Sequence, residues 1–483
     1  MLAPWVTDEM KTVDLKDRRL DDRLREVLGQ LAARPTASIP AACGGRAEME
    51  AAYRLFDNDN VTFDNVLQSH QQATRRRVAE QAVVILAQDT TEVDLTRPEQ
   101  QVQGAGPLDV ESRRGALLHA LHAFTPDGTP LGTLHAAAWV RSDQKLPNRA
   151  ERIAQRRNAP IEEKESQRWL VAWQAVTTEA LSSPQTRMIG VADSEADIYE
   201  LLAEGMHEPR AAEWIVRACQ DRALQPEEPG EEAAPAYLRE QLLRQPVLFT
   251  KTISIRGRKP KLTGDDRSRR QPRASRKAEV QVRAAQVTLR PPWRRGRKLP
   301  AVAVNVVLVR EPNPPEGDVP VEWLLLTSLP IASVEEVRQV IEYYCVRWMI
   351  EVFFRTLKSG CRAEERRFET LDRQLRCLAV YLIVAWRTLY VCRLERGSPE
   401  MSCEAIFEPA EWKAVYRVVQ NKAPPSHPPP LGEMVRMIAQ LGGYVNRPRR
   451  GPPGPQTVWL GMQRMHDFAL CWQLFGPDAK RDP

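Results

Sequence analysis

Three carboxylates stand where their neighbours make chemistry conceivable. Asp89 follows the apolar run Ala82–Leu86 in "AVVILAQDTT", Asp193 ends "RMIGVAD", and Glu351 lies within "YYCVRWMIEVFFRTLK" at 343–358. The first two segments read as buried strands ending in acid, the third as a helix. Buried parallel strands that end in acidic residues bring them to one sheet edge, where ligands bind. Two or three convergent carboxylates suit a hard divalent cation such as Mg²⁺. A pair of such ions ~3.5–4 Å apart can activate a water and stabilise the leaving oxygen of a phosphodiester. Taken singly, each Asp has an ordinary reading as a turn former or helix cap.

The helical segment adds a second pattern. On one continuous helix over 334–359, Tyr344, Arg347, Glu351 and Lys358 fall within an arc of about 60°. Val346, Met349, Ile350, Phe353 and Leu357 take the opposite side. Periodicity alone favours a solvated face with an Arg347–Glu351 pair, worth a few tenths of a kcal/mol. The chemical alternative is a carboxylate flanked by phosphate-contacting side chains along ~21 Å of helix.

The elements that must position these residues are also legible. Residues 1–80 read as helical: "LKDRRLDDRLREVLGQLAA" carries apolar positions three to five apart, "RAEMEAAYRLF" follows a Gly44-Gly45 break, and a third helix covers 63–79. "ALLHALHAFTPDGTPLGTLHAAAWV" is a hairpin around Pro-Asp-Gly. A helix fits 162–181, Ser194 is placed to cap the next one, and "EWIVRACQ" and "EWLLLTSLP" read as further buried strands. Residues 222–320 are rich in Pro, Arg and Glu, with short alternating runs, and read as a β-rich insertion. A helix covers 371–393, and one or two more lie in the tail after "APPSHPPPLGEM" (423–434). A mixed sheet with flanking helices is the resulting α/β class.

Composition narrows the function. A chain of 483 residues with 42% apolar content suggests several domains. Between Arg256 and Lys298 sixteen Lys and Arg face only Asp265, Asp266 and Glu279, so a strongly basic segment sits on an otherwise net acidic chain. That asymmetry points to a polyanion, or else to a solvated basic loop. The eight cysteines form no CxxC pair and read as reduced, buried thiols. No signal peptide or bilayer-length apolar run is apparent, so a soluble intracellular protein is expected. His119, His122 and His135 lack matched ligand spacing and read as structural. Trp139, Trp169, Trp173 and Trp214 read as core. No nucleophile elbow appears.

The pattern Y-x2-R-x3-E-x6-K, as Tyr344, Arg347, Glu351 and Lys358, resembles the signature of bacterial DDE transposases of the insertion-sequence-four family. "QDTTEVDLT" and "VADSEADIYE" resemble that family's first and second Asp motifs, and "EWLLLTSLP" the strand before its catalytic helix. "LKDRRLDDRL" and "AAYRLFDNDNVT" resemble its N-terminal DNA-binding domain, and "LGGYVNRPRRGPPGPQTVWLGMQRMHDF" its C-terminal dimerisation region. The resemblance runs in order along nearly the whole chain.

It implies an RNase H-like mixed-sheet core at 81–385 with the β-rich basic insertion at 222–320. A helical DNA-binding domain would occupy 1–80 and a helical dimerisation domain 386–483. Asp89, Asp193 and Glu351 would bind two Mg²⁺ or Mn²⁺ ions. These would serve nicking at the transposon end, hairpin formation and opening, and strand transfer into target DNA. Tyr344, Arg347 and Lys358 would hold phosphates, with Arg355 where the family has Lys. Trp323 would stack on a flipped base, Arg217 would line the site, and Arg19, Arg23 and Arg54 would contact the ends. Cys219 replaces a second basic residue after Arg217. The implied partners are double-stranded DNA and a second copy of the chain in a synaptic complex, without membrane, in the bacterial cytoplasm at the nucleoid. A DNA-binding protein that has lost transposition and an RNase H-like nuclease with another substrate are the competing readings.

Overall fold

The computed structural model describes residues 2–97, 99–110, 112–143, 159–226, 236–255, 257, 274–294, 296–446 and 451–477. Of the basic stretch 256–298 that the sequence singled out, 256, 258–273 and 295 lie outside these residues. The chain divides into two compact units, Met1–Lys145 with Trp348–Pro483, and Leu146–Arg347.

The first unit opens with helices whose starts are written in the sequence. Asp17 caps Arg18–Ala33 by accepting from the Arg19 N–H, and Leu24, Val27, Leu28 and Leu31 form its buried stripe. Thr62 and Asn65 form a reciprocal capping box for Phe63–Ala79. The sheet follows: β1 (Val83–Asp94), β2 (Gly106–Pro107), β3 (Arg114–Phe124) and β4 (Pro130–Trp139). β3 pairs antiparallel with β1 along one edge, and with β4 and the short β2 along the other. Gly128 takes φ +85° in the β3–β4 turn, as the Pro-Asp-Gly reading requires.

The helix Leu371–Gly397 has the length and mean hydropathy (1.5) of a bilayer span, yet 83% of its most apolar window is buried inside the protein. Apolar on all sides, it is a core helix. It packs against Phe63–Ala79, β4 and the tail helices. Pro409–Gln420 is a helix the sequence did not suggest; beyond it the tail holds two helices, Leu431–Leu441 and Pro455–Phe475, in line with the one or two expected there. The last two cross so closely that a Cβ on Gly461 would fall 1.8 Å from the Ile438 carbonyl oxygen. The boundary expected at 385/386 falls inside the unbroken helix Leu371–Gly397.

The second unit holds β5 (Arg187–Ala192), β6 (Glu213–Arg217), β7 (Phe249–Ile255), β8 (Arg276–Leu289), β9 (Val302–Arg310) and β10 (Glu322–Thr327). Their order is β5-β6-β10-β9-β8-β7. β5 and β6 are parallel and the remaining pairs antiparallel. The insertion is thus β-rich as expected, but its strands extend the same sheet as β6 and β10. The helix Gln167–Ser182 begins after a 3-10 turn at Ile161–Glu163, a few residues later than the acidic "EEKE" suggested. Trp169, Trp173 and Trp214 are core, whereas Trp139 on β4 is only half-buried. Five cysteines are buried, but Cys219, Cys345 and Cys471 are exposed, against the expectation that all eight would be buried.

The segment 334–359 is not one helix. Val334–Val346 ends, Arg347 forms a turn with its N–H donating to the Tyr344 carbonyl, and Trp348–Arg355 begins anew. A wide π-turn then covers Thr356–Gly360. A π-turn rotates less per residue than an α-helix, so the ideal wheel that aligned Lys358 with Glu351 does not hold to its end.

Candidate active site

In the second unit the predicted residues gather at the carboxyl end of β5 and β6. The last β5–β6 pair is Ala192 with Val216, so Asp193 and Arg217 emerge level with one another. Asp193 is itself a cap: its Oδ1 accepts the Glu195 N–H at 2.8 Å and starts the 3-10 turn Ser194–Ala196. The expected cap, Ser194, is instead that turn's first residue, and the α-helix begins only at Tyr199.

Arg217 pairs across the sheet with Leu325, and Trp323, two residues along, shares that face of β10. Trp323 packs edge-on against Tyr344, with ring centroids 5.7 Å apart. Tyr344 is buried, not solvent-facing as the helical wheel implied. Burial pushes its phenol pKa up, against the opposing pull of Arg347 and Arg217, while Asp193 adds to the rise. Tyr344 therefore keeps its proton at neutral pH and is available as a donor. Arg217 Nη2 also donates to the Glu322 carbonyl at 3.4 Å.

A neighbouring carboxylate, which the sequence reading quoted but gave no role, ties this edge together. Asp197 is buried. Its Oδ2 accepts the N–H groups of Cys219 and Gln220 at 2.9 and 3.0 Å, and its Oδ1 accepts Arg222 Nε at 2.9 Å. It joins the turn after β5 to the loop after β6. Its signal in the sequence was an acid inside an otherwise apolar "ADIY" stretch, with an Arg downstream to neutralise it.

In the first unit Asp89 lies mid-strand, paired with Ala120, rather than at a strand end. The β-branched Thr90, Thr91 and Val93 continue the strand because the long β3 offers them partners. Asp89 Oδ1 accepts the Thr90 N–H at 2.7 Å. The helix Trp348–Arg355 packs on β1 through its apolar side, and Glu351 is half-buried. Lys358 makes an ion pair with Glu364 at 3.3 Å, and Glu364 in turn accepts the Asp94 N–H at the end of β1. Arg355 is exposed.

Among the described residues no three His, Cys, Asp or Glu side chains form a ready-made metal cluster. Asp193 lies in one unit, Asp89 and Glu351 in the other. All three are half-buried carboxylates, and that donor chemistry fits a hard divalent cation. His119 and His122 are buried in the β3–β4 sheet, and His122 is held neutral by burial. At the N-terminus Arg19 is exposed, Arg23 pairs with Glu26 at 2.7 Å, and Arg54 Nε donates to the Glu50 carbonyl at 3.3 Å.

Three family models match the chain in order: a transposase DNA-binding domain at residues 2–61, a transposase DDE domain at 141–386, and a transposase Tn5 dimerisation domain at 383–472. The DDE match contains Asp193 and Glu351 and begins after Asp89. The chain belongs to the DDE transposase family, whose catalytic domain is an RNase H-like mixed sheet with flanking helices. Its dimerisation segment is that of the Tn5-like members; DNA and a second copy of the chain are its partners. Domains of this family act as nucleases and strand transferases with divalent metal ions. A solved structure, the piggyBac transposase synaptic complex with hairpin DNA, aligns over 99% of this chain and 79% of that one, at 11% identity and TM-score 0.36. That similarity is too weak to carry an argument.

Proposed function

We propose that the protein is a cut-and-paste DNA transposase. It binds the inverted repeats at transposon ends, cleaves them through a hairpin intermediate, and transfers the strands into target DNA. The observation that supports this most is the common position of Asp193, Arg217, Trp323, Tyr344 and Arg347 at one edge of one sheet: a carboxylate, two cations, a protonated phenol and an aromatic face.

Asp89, Asp193 and Glu351 would hold two Mg²⁺ or Mn²⁺ ions. When bound, such ions favour deprotonation of the attacking group and stabilise the leaving oxygen. Arg347 and Arg217 neutralise phosphates beside the scissile bond, and the Tyr344 hydroxyl donates to a phosphate oxygen. Trp323, braced by Tyr344, offers its face to an unpaired base. Lys358 exchanges Glu364 for a phosphate when DNA arrives, and Arg355 presents an exposed fork to the backbone. Arg19, Arg23 and Arg54 contact the ends through phosphates, a salt-sensitive mode. The functional division is 1–80 for end binding, 81–385 for catalysis and 386–483 for dimerisation, in a cytoplasmic protein that works on the nucleoid.

The test is incubation with DNA carrying the inverted repeats that flank the gene, with and without Mg²⁺. Metal-dependent cutting at the repeat boundary is expected. Binding without cutting would favour a repressor, and cutting without regard to the repeats a general nuclease.

A further inference from the structure

The connection between β8 and β9 carries an exposed tryptophan that the site just described does not use. Trp293 is 68% exposed. Arg290, Arg297 and Lys298, close by in sequence, are exposed as well. Arg294 and Arg297 bridge antiparallel, with Gly296 at φ +70°.

This tip is firmly anchored at its base. Arg294 Nε pairs with the buried Glu200 at 2.6 Å, and Leu299 is buried. The Tyr199 hydroxyl lies 3.1 Å from the Leu289 carbonyl oxygen and 2.8 Å from that of Pro300, so it clasps both legs of the hairpin. The Arg290 N–H donates to the Ala223 carbonyl, and the Gln225 N–H to the Thr288 carbonyl. Tyr199 and Glu200 begin the helix that follows the Asp193 turn, and Arg222, beside Ala223, is held by Asp197. The base of the hairpin and the Asp193 turn are therefore parts of one hydrogen-bonded network inside one unit.

A singly exposed apolar residue needs no explanation. An indole on an anchored hairpin with three exposed cations beside it is different. It has the composition of a nucleic-acid contact, in which cations follow the phosphates and the ring stacks on a base or wedges between base steps. Arg297 makes a long, exposed pairing with Glu162 at 3.7 Å, which a phosphate can replace.

We propose that Trp293, with Arg290, Arg297 and Lys298, forms a second contact for the transposon-end duplex whose scissile phosphate lies at Asp193. The proposal rests on the transposase reading. The end duplex is the chosen occupant because exposed cations and an aromatic face complement its phosphates and bases, and the base of the hairpin is hydrogen-bonded to Tyr199, six residues after Asp193. Anchoring in the free protein means that little ordering is needed when DNA binds.

The experiment measures binding of the full-length protein to end DNA across a salt series, for wild type, Trp293→Ala, Trp293→Phe and the double variant Arg297→Ala/Lys298→Ala. Thermal melts establish that the variants fold. Trp293→Ala is expected to weaken end binding roughly 5- to 100-fold, as loss of a base-stacking ring does, with Trp293→Phe retaining most of the affinity. The double variant is expected to lower the slope of log K against log salt by roughly 2, about 0.9 per lost phosphate contact. Folded variants that bind ends like wild type, with an unchanged slope, overturn this proposal alone. Variants that bind ends normally but capture target DNA poorly during strand transfer also overturn it, since the surface then serves the target. A wild-type protein that does not bind the ends overturns the transposase reading and this one together.

Discussion

Two buried carboxylates, one in each unit, show what the same chemistry does in two settings. Glu9 in the first unit accepts His70 Nδ1 at 2.5 Å and both Arg77 Nη atoms at 2.8 and 3.0 Å. His70 Nε2 accepts the Thr133 N–H at 3.0 Å, so it carries no proton, and His70 is a neutral donor to Glu9. Arg77 also donates to the Leu131 carbonyl and lies over the Trp386 ring at 4.2 Å. This knot fastens the helix Pro4–Glu9 to Phe63–Ala79, β4 and the core helix. Asp197 in the second unit has one Arg partner and two backbone N–H donors, and fastens the loops that carry Asp193 and Arg217. Glu9 binds elements that hold the fold, and Asp197 binds loops that hold the site. A buried ion pair is therefore informative through what it joins, since its net contribution to stability is small or negative.

That contrast can be broken by mutation. Glu9→Ala or Arg77→Ala leaves the remaining groups of a buried cluster without their partners, and should destabilise the first unit by about 3–5 kcal/mol in denaturant titration. Acid should act on the same knot. Burial opposes ionisation of Glu9, but His70 and Arg77 outweigh it and hold the carboxyl at about 2 against an ordinary 4.5. A depressed carboxyl contributes stability above the unfolded value and loses it as pH falls from about 4.5 toward 2, an effect of order 3 kcal/mol. His70, whose pKa burial lowers, adds loss of the same sign as pH falls below its ordinary 6.5. Unfolding titrations against pH should show this acid limb in wild type and a flatter one in Glu9→Gln.

The site side of the comparison gives smaller effects on stability and larger ones on turnover. Asp197→Asn keeps the shape but sets an amide against two N–H donors and a guanidinium. It should cost about 1–3 kcal/mol of local order, seen as slower single-turnover cleavage with end affinity nearly unchanged. Trp323→Ala should weaken cleavage by about 1–3 kcal/mol of lost base stacking, with Trp323→Phe partly rescuing it. Tyr344→Phe removes one hydroxyl donor and keeps the ring against Trp323, and should cost about 1 kcal/mol in cleavage.

Much of this was legible in the sequence because local patterns dictated it. The helices at 63–79 and from 371, the Pro-Asp-Gly hairpin and the alternating strands of the insertion all follow short-range rules. The features missed depend on distant partners. Asp89 sits mid-strand because β3, some thirty residues on, is long enough to pair with it. Tyr344 is buried because Trp323 meets it. The break at Arg347 and the π-turn at Thr356–Gly360 occur where no Pro or Gly marks an interruption before Gly360. The knots at Glu9 and Asp197 pair residues whose separation in sequence carries no period.

The central claim is that Asp193 serves chemistry and not merely its turn. The most direct test follows single-turnover cleavage and binding of the same repeat-end DNA by wild type and Asp193→Ala in Mg²⁺. The account predicts that end binding stays near wild type while cleavage at the repeat boundary is lost by at least roughly 100-fold, beyond the effect typical of groups that only orient metal ligands. Cleavage by Asp193→Ala at a rate close to wild type would contradict it.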